Sequence, residues 1–126
     1  MTILEAVQAV DAVLDDPCTY AQKVRWLSEL DGQIFRRLHL THGDQAGELH
    51  YDENTDPQTE LLVSAPYESL YSAYLAGRIL ECMGQRERSE YARADFQRRL
   101  DAFASDYHRS HTPPAKCLRY PGGHGW

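Results

Sequence analysis

The chain is 126 residues long, with a formal net charge of −6, 42% hydrophobic residues and 25% charged residues. A chain of this length reads as one domain that buries enough surface to fold without a disulfide or metal staple. The negative charge argues against a protein whose main task is to coat nucleic acid, and no apolar run approaches the ~18 residues that span a bilayer.

The chain reads as an all-α bundle of about four helices, with a long central loop and an extended C-terminal tail. The first helix opens on a capping box, Thr2 with Glu5, and carries Ile3, Val7, Val10 and Leu14 at helical spacing. Asp15-Asp16-Pro17 stops it, because a residue before proline is pushed out of the α region. The second helix is expected from Thr19, its N-cap, to His39. Tyr20, Val24, Leu27, Leu30, Ile34 and Leu38 line one face, and Gly32 inside it marks a kink or a close packing contact.

Residues 40–65 form the connection, rich in turn formers and acids. Within it Glu60-Leu61-Leu62-Val63 is a short apolar run, a lone strand that lacks a partner unless another chain supplies one. The third helix is expected to start at Ser64-Ala65-Pro66, with the proline in the first turn and Glu68 suiting the helix dipole. Tyr67, Tyr71, Tyr74 and Arg78 fall on one stripe, and Gly84 ends the helix. The fourth helix, from about Gln85 to Arg109, carries Tyr91, Phe96, Leu100, Phe103 and Tyr107 on one face and Arg and Glu on the other. The short link between the last two helices makes them an antiparallel hairpin.

The charge is unevenly spread. Residues 1–57 hold eleven acids and four bases, and residues 58–126 hold eight acids and nine bases. No Lys or Arg occurs between Arg37 and Arg78, and no acid follows Asp106. An acidic middle and a basic tail suggest that one copy's tail meets another surface, its own or a partner's. The tail, TPPAKCLRYPGGHGW, holds three of the six prolines and three of the eight glycines. It reads as a segment separate from a bundle domain of residues 1–111, spanning 112–126, with Leu118, Tyr120 and Trp126 as adhesive side chains.

Catalytic and metal signatures are weak. Cys18, Cys82 and Cys117 are far apart and odd in number, fitting reduced thiols of a cytosolic-type compartment. The first sixteen residues have no basic n-region and no cleavage site, so they do not read as a signal peptide. His39 with His42, and His108 with His111, are three apart, but no H-E-x-x-H or C-x-x-C is present. There is no G-x-S-x-G, and Gly122-Gly123-His124-Gly125 opens no helix. The expectation is a non-enzyme with no cofactor and no metal. Eight tyrosines, three of them on one stripe, serve a core first and a protein interface second.

The block Leu62-x-x-x-Pro66-Tyr67-x-x-x-Tyr71-x-x-Tyr74 continues through Gly84, Tyr91, Phe96, Phe103 and Tyr107 to Ser110-His111-Thr112-Pro113. This stretch resembles the head–tail connector, or adaptor, proteins of tailed bacteriophages and prophages. Family members often carry Tyr-Asn-Asn where this chain has Tyr91-Ala92-Arg93. The resemblance implies a virion protein of the neck, made in the host bacterial cytoplasm. It implies a homo-oligomeric ring, commonly of twelve subunits, docked on the portal protein and receiving the tail-side neck protein. DNA would pass through without specific binding, and no membrane is involved. An acidic lining repels phosphate and lets a genome slide. On this reading the tail is a docking arm, with Tyr120, Trp126 and Leu118 as anchors and Lys116 and Arg119 as charge partners. Leu61–Val63 would pair with a neighbour's backbone. The other reading is a small bacterial helical binding or regulatory protein, holding a metal through its histidines.

Overall fold

The computed structural model describes residues 1–42 and 49–111, without the side chains of residues 39–42 and 111. Four helices follow one another: α1 (Ile3–Asp11), α2 (Tyr20–His42), α3 (Leu70–Cys82) and α4 (Arg86–His111). The architecture is an all-α bundle, with α3 at its centre: it packs along α4 and also meets α1 and α2.

Helix α1 begins as its sequence dictates. The Thr2 hydroxyl accepts from the Glu5 N–H, and the Glu5 carboxylate accepts from the Thr2 N–H. Two N–H groups that the helix leaves without partners are thereby satisfied. The helix ends at Asp11, short of the expected Asp15, because the N–H groups of Val13 and Leu14 both turn back to the Val10 carbonyl. Asp16 then caps the elbow, accepting from the Cys18 N–H at 2.8 Å. Thr19 opens α2 as expected, its hydroxyl accepting from the Gln22 N–H. The helix runs three residues past His39. Gly32 makes no close approach, since an added Cβ would sit 3.6 Å from the Leu49 carbonyl oxygen, an ordinary contact.

Helix α3 starts at Leu70, four residues after Pro66. The segment before it is tied up in side-chain contacts and turns: Tyr67 N–H donates to Ser64 O and Leu70 N–H to Tyr67 O. Tyr67 and Glu68 therefore lie ahead of the helix, not in its first turn. The end of α3 is a Schellman motif. Gly84 has φ +76°, its N–H donates to Glu81 O, and the Gln85 N–H donates to Leu80 O.

The apolar run at 60–63 finds its partner inside the chain. Thr2 and Glu60 form an isolated antiparallel bridge, and the Leu61 N–H donates to Met1 O. The Leu62 and Val63 N–H groups are taken by the Asp31 carboxylate and the Tyr71 hydroxyl. With all three donors committed, pairing of this run with a neighbour's backbone is overturned.

The core gathers Ile3, Val7 and Val10 of α1, Val24, Leu27, Leu30 and Ile34 of α2, and Leu70, Leu75 and Ile79 of α3, with Leu61 and Val63 sealing one end. Helix α4 contributes Leu100 to it and packs Phe96, Phe103 and Tyr107 against it, whereas Tyr91, expected on the same face, is exposed one turn earlier, where α4 turns that position to solvent. Tyr74 pairs with Phe96 at 5.0 Å, and Tyr67 with Phe103 at 6.0 Å.

Candidate functional site

Two features stand out from a packed helical core: a polar hub beneath the connection and an open groove between α2 and α4. The hub is built on Asp31, which lies on the same helix face as Leu27, Leu30 and Ile34 and is fully buried. Its Oδ1 accepts from the Tyr71 hydroxyl at 2.6 Å. Its Oδ2 accepts from the Tyr51 hydroxyl at 2.7 Å and the Leu62 N–H at 3.0 Å. Tyr71 in turn accepts from the Val63 N–H at 2.8 Å. One carboxylate thus ties α2, α3 and both ends of the 49–63 segment together.

The electrostatics are mixed. Burial pushes the Asp31 carboxyl above its ordinary value of 3.8, and the three donors pull it partly back. Burial and the neighbouring Asp31 charge push both the Tyr51 and Tyr71 hydroxyls well up, so both stay protonated as donors. Such a network is satisfied only as a whole, because each donor is otherwise stranded in a low dielectric.

Close by, the Ser28 hydroxyl lies 3.4 Å from Nδ1 of His50 and accepts from the Tyr51 N–H at 2.9 Å. A serine beside a histidine is the first half of a nucleophilic arrangement. Here the Asp31 oxygens serve the two tyrosines and the Leu62 N–H, not His50. The Ser28 contacts pin His50–Tyr51 to α2. A second buried charge, Lys23, joins α2 to the elbow through Asp11 and Asp16. Burial lowers the Lys23 ammonium's pKa, but hydrogen bonds to both carboxylates outweigh this and raise it overall.

The groove has a volume of about 400 Å³; the core side chains Leu30, Ile34 and Leu100 lie at its base beside Tyr74 and Phe96, which pack on each other. Gln33 and Arg37 form one rim, and Gln97 and Asp101 the other. On α3, Arg78 lies across the Trp26 ring at 5.2 Å and faces Tyr74 at 5.9 Å, with Glu29 at 3.6 Å. This cation–π stack holds the α2–α3 crossing. The α3–α4 crossing is closer: the Ser89 hydroxyl donates to Gly77 O at 2.9 Å, and a Cβ on Gly77 would stand 3.3 Å from Arg93 Cγ.

The expected acidic region is a surface. Asp52, Glu53, Asp56 and Glu60 are exposed and run beside the start of α1, where Thr59 O and Pro57 O accept from the Ile3 and Leu4 N–H groups. Asp44 and Glu48 lie outside the described residues. So do all five residues expected to bind a partner, Lys116, Leu118, Arg119, Tyr120 and Trp126, together with Cys117. The side chains of His39, His42 and His111 are likewise outside them. Among the described residues no group of three or more His, Cys, Asp and Glu side chains is placed to hold a metal ion. Among them, too, no helix is long and apolar enough to cross a membrane. Of the tyrosine stripe, Tyr71 is in the core, Tyr74 lines the groove, and Tyr67 precedes α3 and packs on Phe103.

Asp31 and Lys23 did not stand out in the sequence, yet a signal was there. Both fall on the apolar stripe of α2, Lys23 beside Val24 and Asp31 between Leu30 and Ile34. A charge on a core-facing stripe is buried only when partnered.

The fold and these features define a small all-α bundle. No family model matches the chain, and no solved structure matches it. Among curated proteins it is similar to integrin alpha-PS5 of Drosophila melanogaster, 37% identical over 60 residues. That stretch is 43% of this chain and 6% of the integrin subunit, so the chain spans a small fraction of that relative's length.

Proposed function

We propose that this protein is a structural subunit of a bacteriophage neck, a head–tail adaptor that repeats in a ring below the portal and extends the DNA channel toward the tail. The observation that carries the reading is the sequence block from Leu62 to Pro113, which resembles that family. Its support is structural coherence: the described part of the block coincides with one unit, the end of the connection plus the α3–α4 hairpin. Two aromatic pairs of the block hold the hairpin, Tyr74 on Phe96 and Tyr67 on Phe103, while Tyr71 ties α3 to the hub and Tyr91 is exposed.

The charge distribution supports the same reading. The exposed carboxylates of residues 52–60 meet no Lys or Arg in their own stretch of chain. Facing a channel, such a surface repels phosphate, where a basic lining would retain the genome by releasing counterions. The C-terminal residues 112–126 serve as the docking arm, with Tyr120 and Trp126 as anchors.

The test is assembly. The purified protein, alone and mixed with a portal protein of a tailed bacteriophage, is imaged by electron microscopy and weighed by native mass spectrometry. Rings around a central channel are expected. A protein that stays monomeric in both samples overturns the reading. Deleting residues 115–126 is expected to leave the helical circular dichroism unchanged while abolishing attachment to the portal side.

A further inference from the structure

Helix α4 buries one face and exposes the other. Leu100 joins the core, Phe96 and Phe103 pack against it, and Ser89 is held on Gly77 of α3. On the opposite side Glu87, Tyr91, Ala94 and Arg98 follow one another at spacings of four, three and four residues. That is neighbour spacing on a helix, so the four form one stripe. All four are exposed, and the Tyr91 ring stands 80% in solvent. Tyrosine is the residue type most often found as an anchor where two proteins meet.

A lone exposed ring is ordinary on a surface. What sets this stripe apart is the order of its residues: acid, large ring, small residue, base. A second copy laid antiparallel, with its twofold axis passing between Ala92 and Arg93, places Glu87 opposite Arg98 of the second copy. The same operation places Tyr91 over Ala94 of the second copy, a large side chain against a small one. Symmetry repeats both contacts. Arg88 and Asp95 flank the stripe on one side, and this arrangement brings Arg88 beside Asp95 of the second copy. A parallel pair would set each residue against itself, Glu87 on Glu87 and Arg98 on Arg98, and is disfavoured by like charge. Within its own chain Arg98 uses Nη2 on Asp95 at 2.6 Å. A guanidinium carries five N–H groups, so it can serve a second carboxylate.

We propose that free chains pair through this stripe of α4 as an antiparallel twofold dimer, with Tyr91 on Ala94 at the centre and Glu87 on Arg98 at both ends. The contact goes beyond the adaptor reading and does not rest on it. An isologous pair closes on itself, whereas a ring is built from head-to-tail contacts on other surfaces.

The test is a charge swap in the full-length protein, read by sedimentation velocity over a dilution series, where the contact shows as a monomer–dimer step. Glu87→Arg alone and Arg98→Glu alone each set like charges across both ends of the pair. Each is expected to weaken dimerisation about tenfold, since symmetry counts every substitution twice. The double variant, Glu87→Arg with Arg98→Glu, sets opposite charges across the pair again and is expected within about threefold of the parent. Tyr91→Ala is expected to weaken the dimer at least as much as a single reversal. Arg86→Glu changes the net charge as Arg98→Glu does but lies off the stripe, and is expected to leave the dimer unchanged. Circular dichroism of every variant should match the parent, because all these side chains are exposed. A parent that shows no dimer step up to millimolar concentration overturns the proposal. So does a dimer indifferent to the single reversals, a double variant no tighter than the single ones, or an Arg86→Glu loss equal to that of Arg98→Glu.

Discussion

The two interfaces of α3 are held in opposite ways. On its α2 side, Tyr71 reaches a buried carboxylate that also collects Tyr51 and the Leu62 N–H. On its α4 side the contact is made by small residues and rings: Gly77 against Ser89 and Arg93, Tyr74 against Phe96. The first is directional, and one lost acceptor strands three donors at once. The second sets one buried hydrogen bond, Ser89 to Gly77 O, among packing contacts, and the packing part loses stability in proportion to the atoms removed. The irregular 49–63 segment is held by the directional interface, because it has no helix ladder of its own to satisfy its N–H groups.

Asp31→Ala is expected to have the largest effect. It leaves two phenols and an N–H without their acceptor in the core, and at about 1–3 kcal/mol for each stranded group the loss is several kcal/mol. Urea denaturation read by circular dichroism measures it. An Ala variant within about 1 kcal/mol of the parent would show that water replaces the carboxylate. Gly77→Val breaks the other interface, pushing into Arg93 and Ala92, and is expected to cost about 1–3 kcal/mol. The same denaturation checks it, and an unchanged midpoint would mean that α4 slides without cost.

The pH dependence separates the two sides by sign. Burial raises the Asp31 pKa above its unfolded value of 3.8, so the native state holds this proton where the unfolded chain has lost it. Its contribution is fully present below the unfolded pKa and is lost as pH rises through the folded one. On α4 the sign is opposite. Hydrogen bonds from Arg98 and then Arg99 lower the Asp95 pKa, so its contribution is present above the unfolded pKa and is lost as pH falls through the folded one. Urea midpoints across the acidic range, compared between the parent and Asp31→Asn, are expected to show the parent gaining on the variant as pH falls. A constant difference would sink this assignment.

The smallest effects come from two glycines. Gly84→Ala is expected to cost about 1 kcal/mol, because its φ of +76° disfavours any side chain. Gly32→Ala is expected to stabilise α2 by up to about 1 kcal/mol, since its Cβ meets only an ordinary contact. Thermal unfolding of the pair should move in opposite directions.

Much of the fold was legible in local chemistry. The Thr2–Glu5 box, the Thr19 cap, the Gly84 stop and the apolar spacing of all four helices each act within a turn or two of their own residues. The end of α1 shifted for a local reason, at the Val10 carbonyl, but the start of α3 shifted because distant groups intervened. Pro66 reads as a first-turn residue of α3, yet the chain before Leu70 is committed to Tyr71, Asp31 and its own turns. The run at Leu61–Val63 reads as a strand in want of another chain, and the N-terminal residues, Asp31 and Tyr71 supply its partners.

The sequence by itself determined the helical class, the caps and the uneven charge, because helix periodicity, capping and ionisation are properties of neighbours along the chain. Only the tertiary structure decided that Asp31 and Lys23 are buried and satisfied, that α3 is the centre of the bundle, and that α2 and α4 stand apart. Each of these depends on which surfaces meet across tens of residues. Composition counts a carboxylate the same whether it faces water or three donors, and the cost of removing it from water is offset only once the fold brings those donors to it.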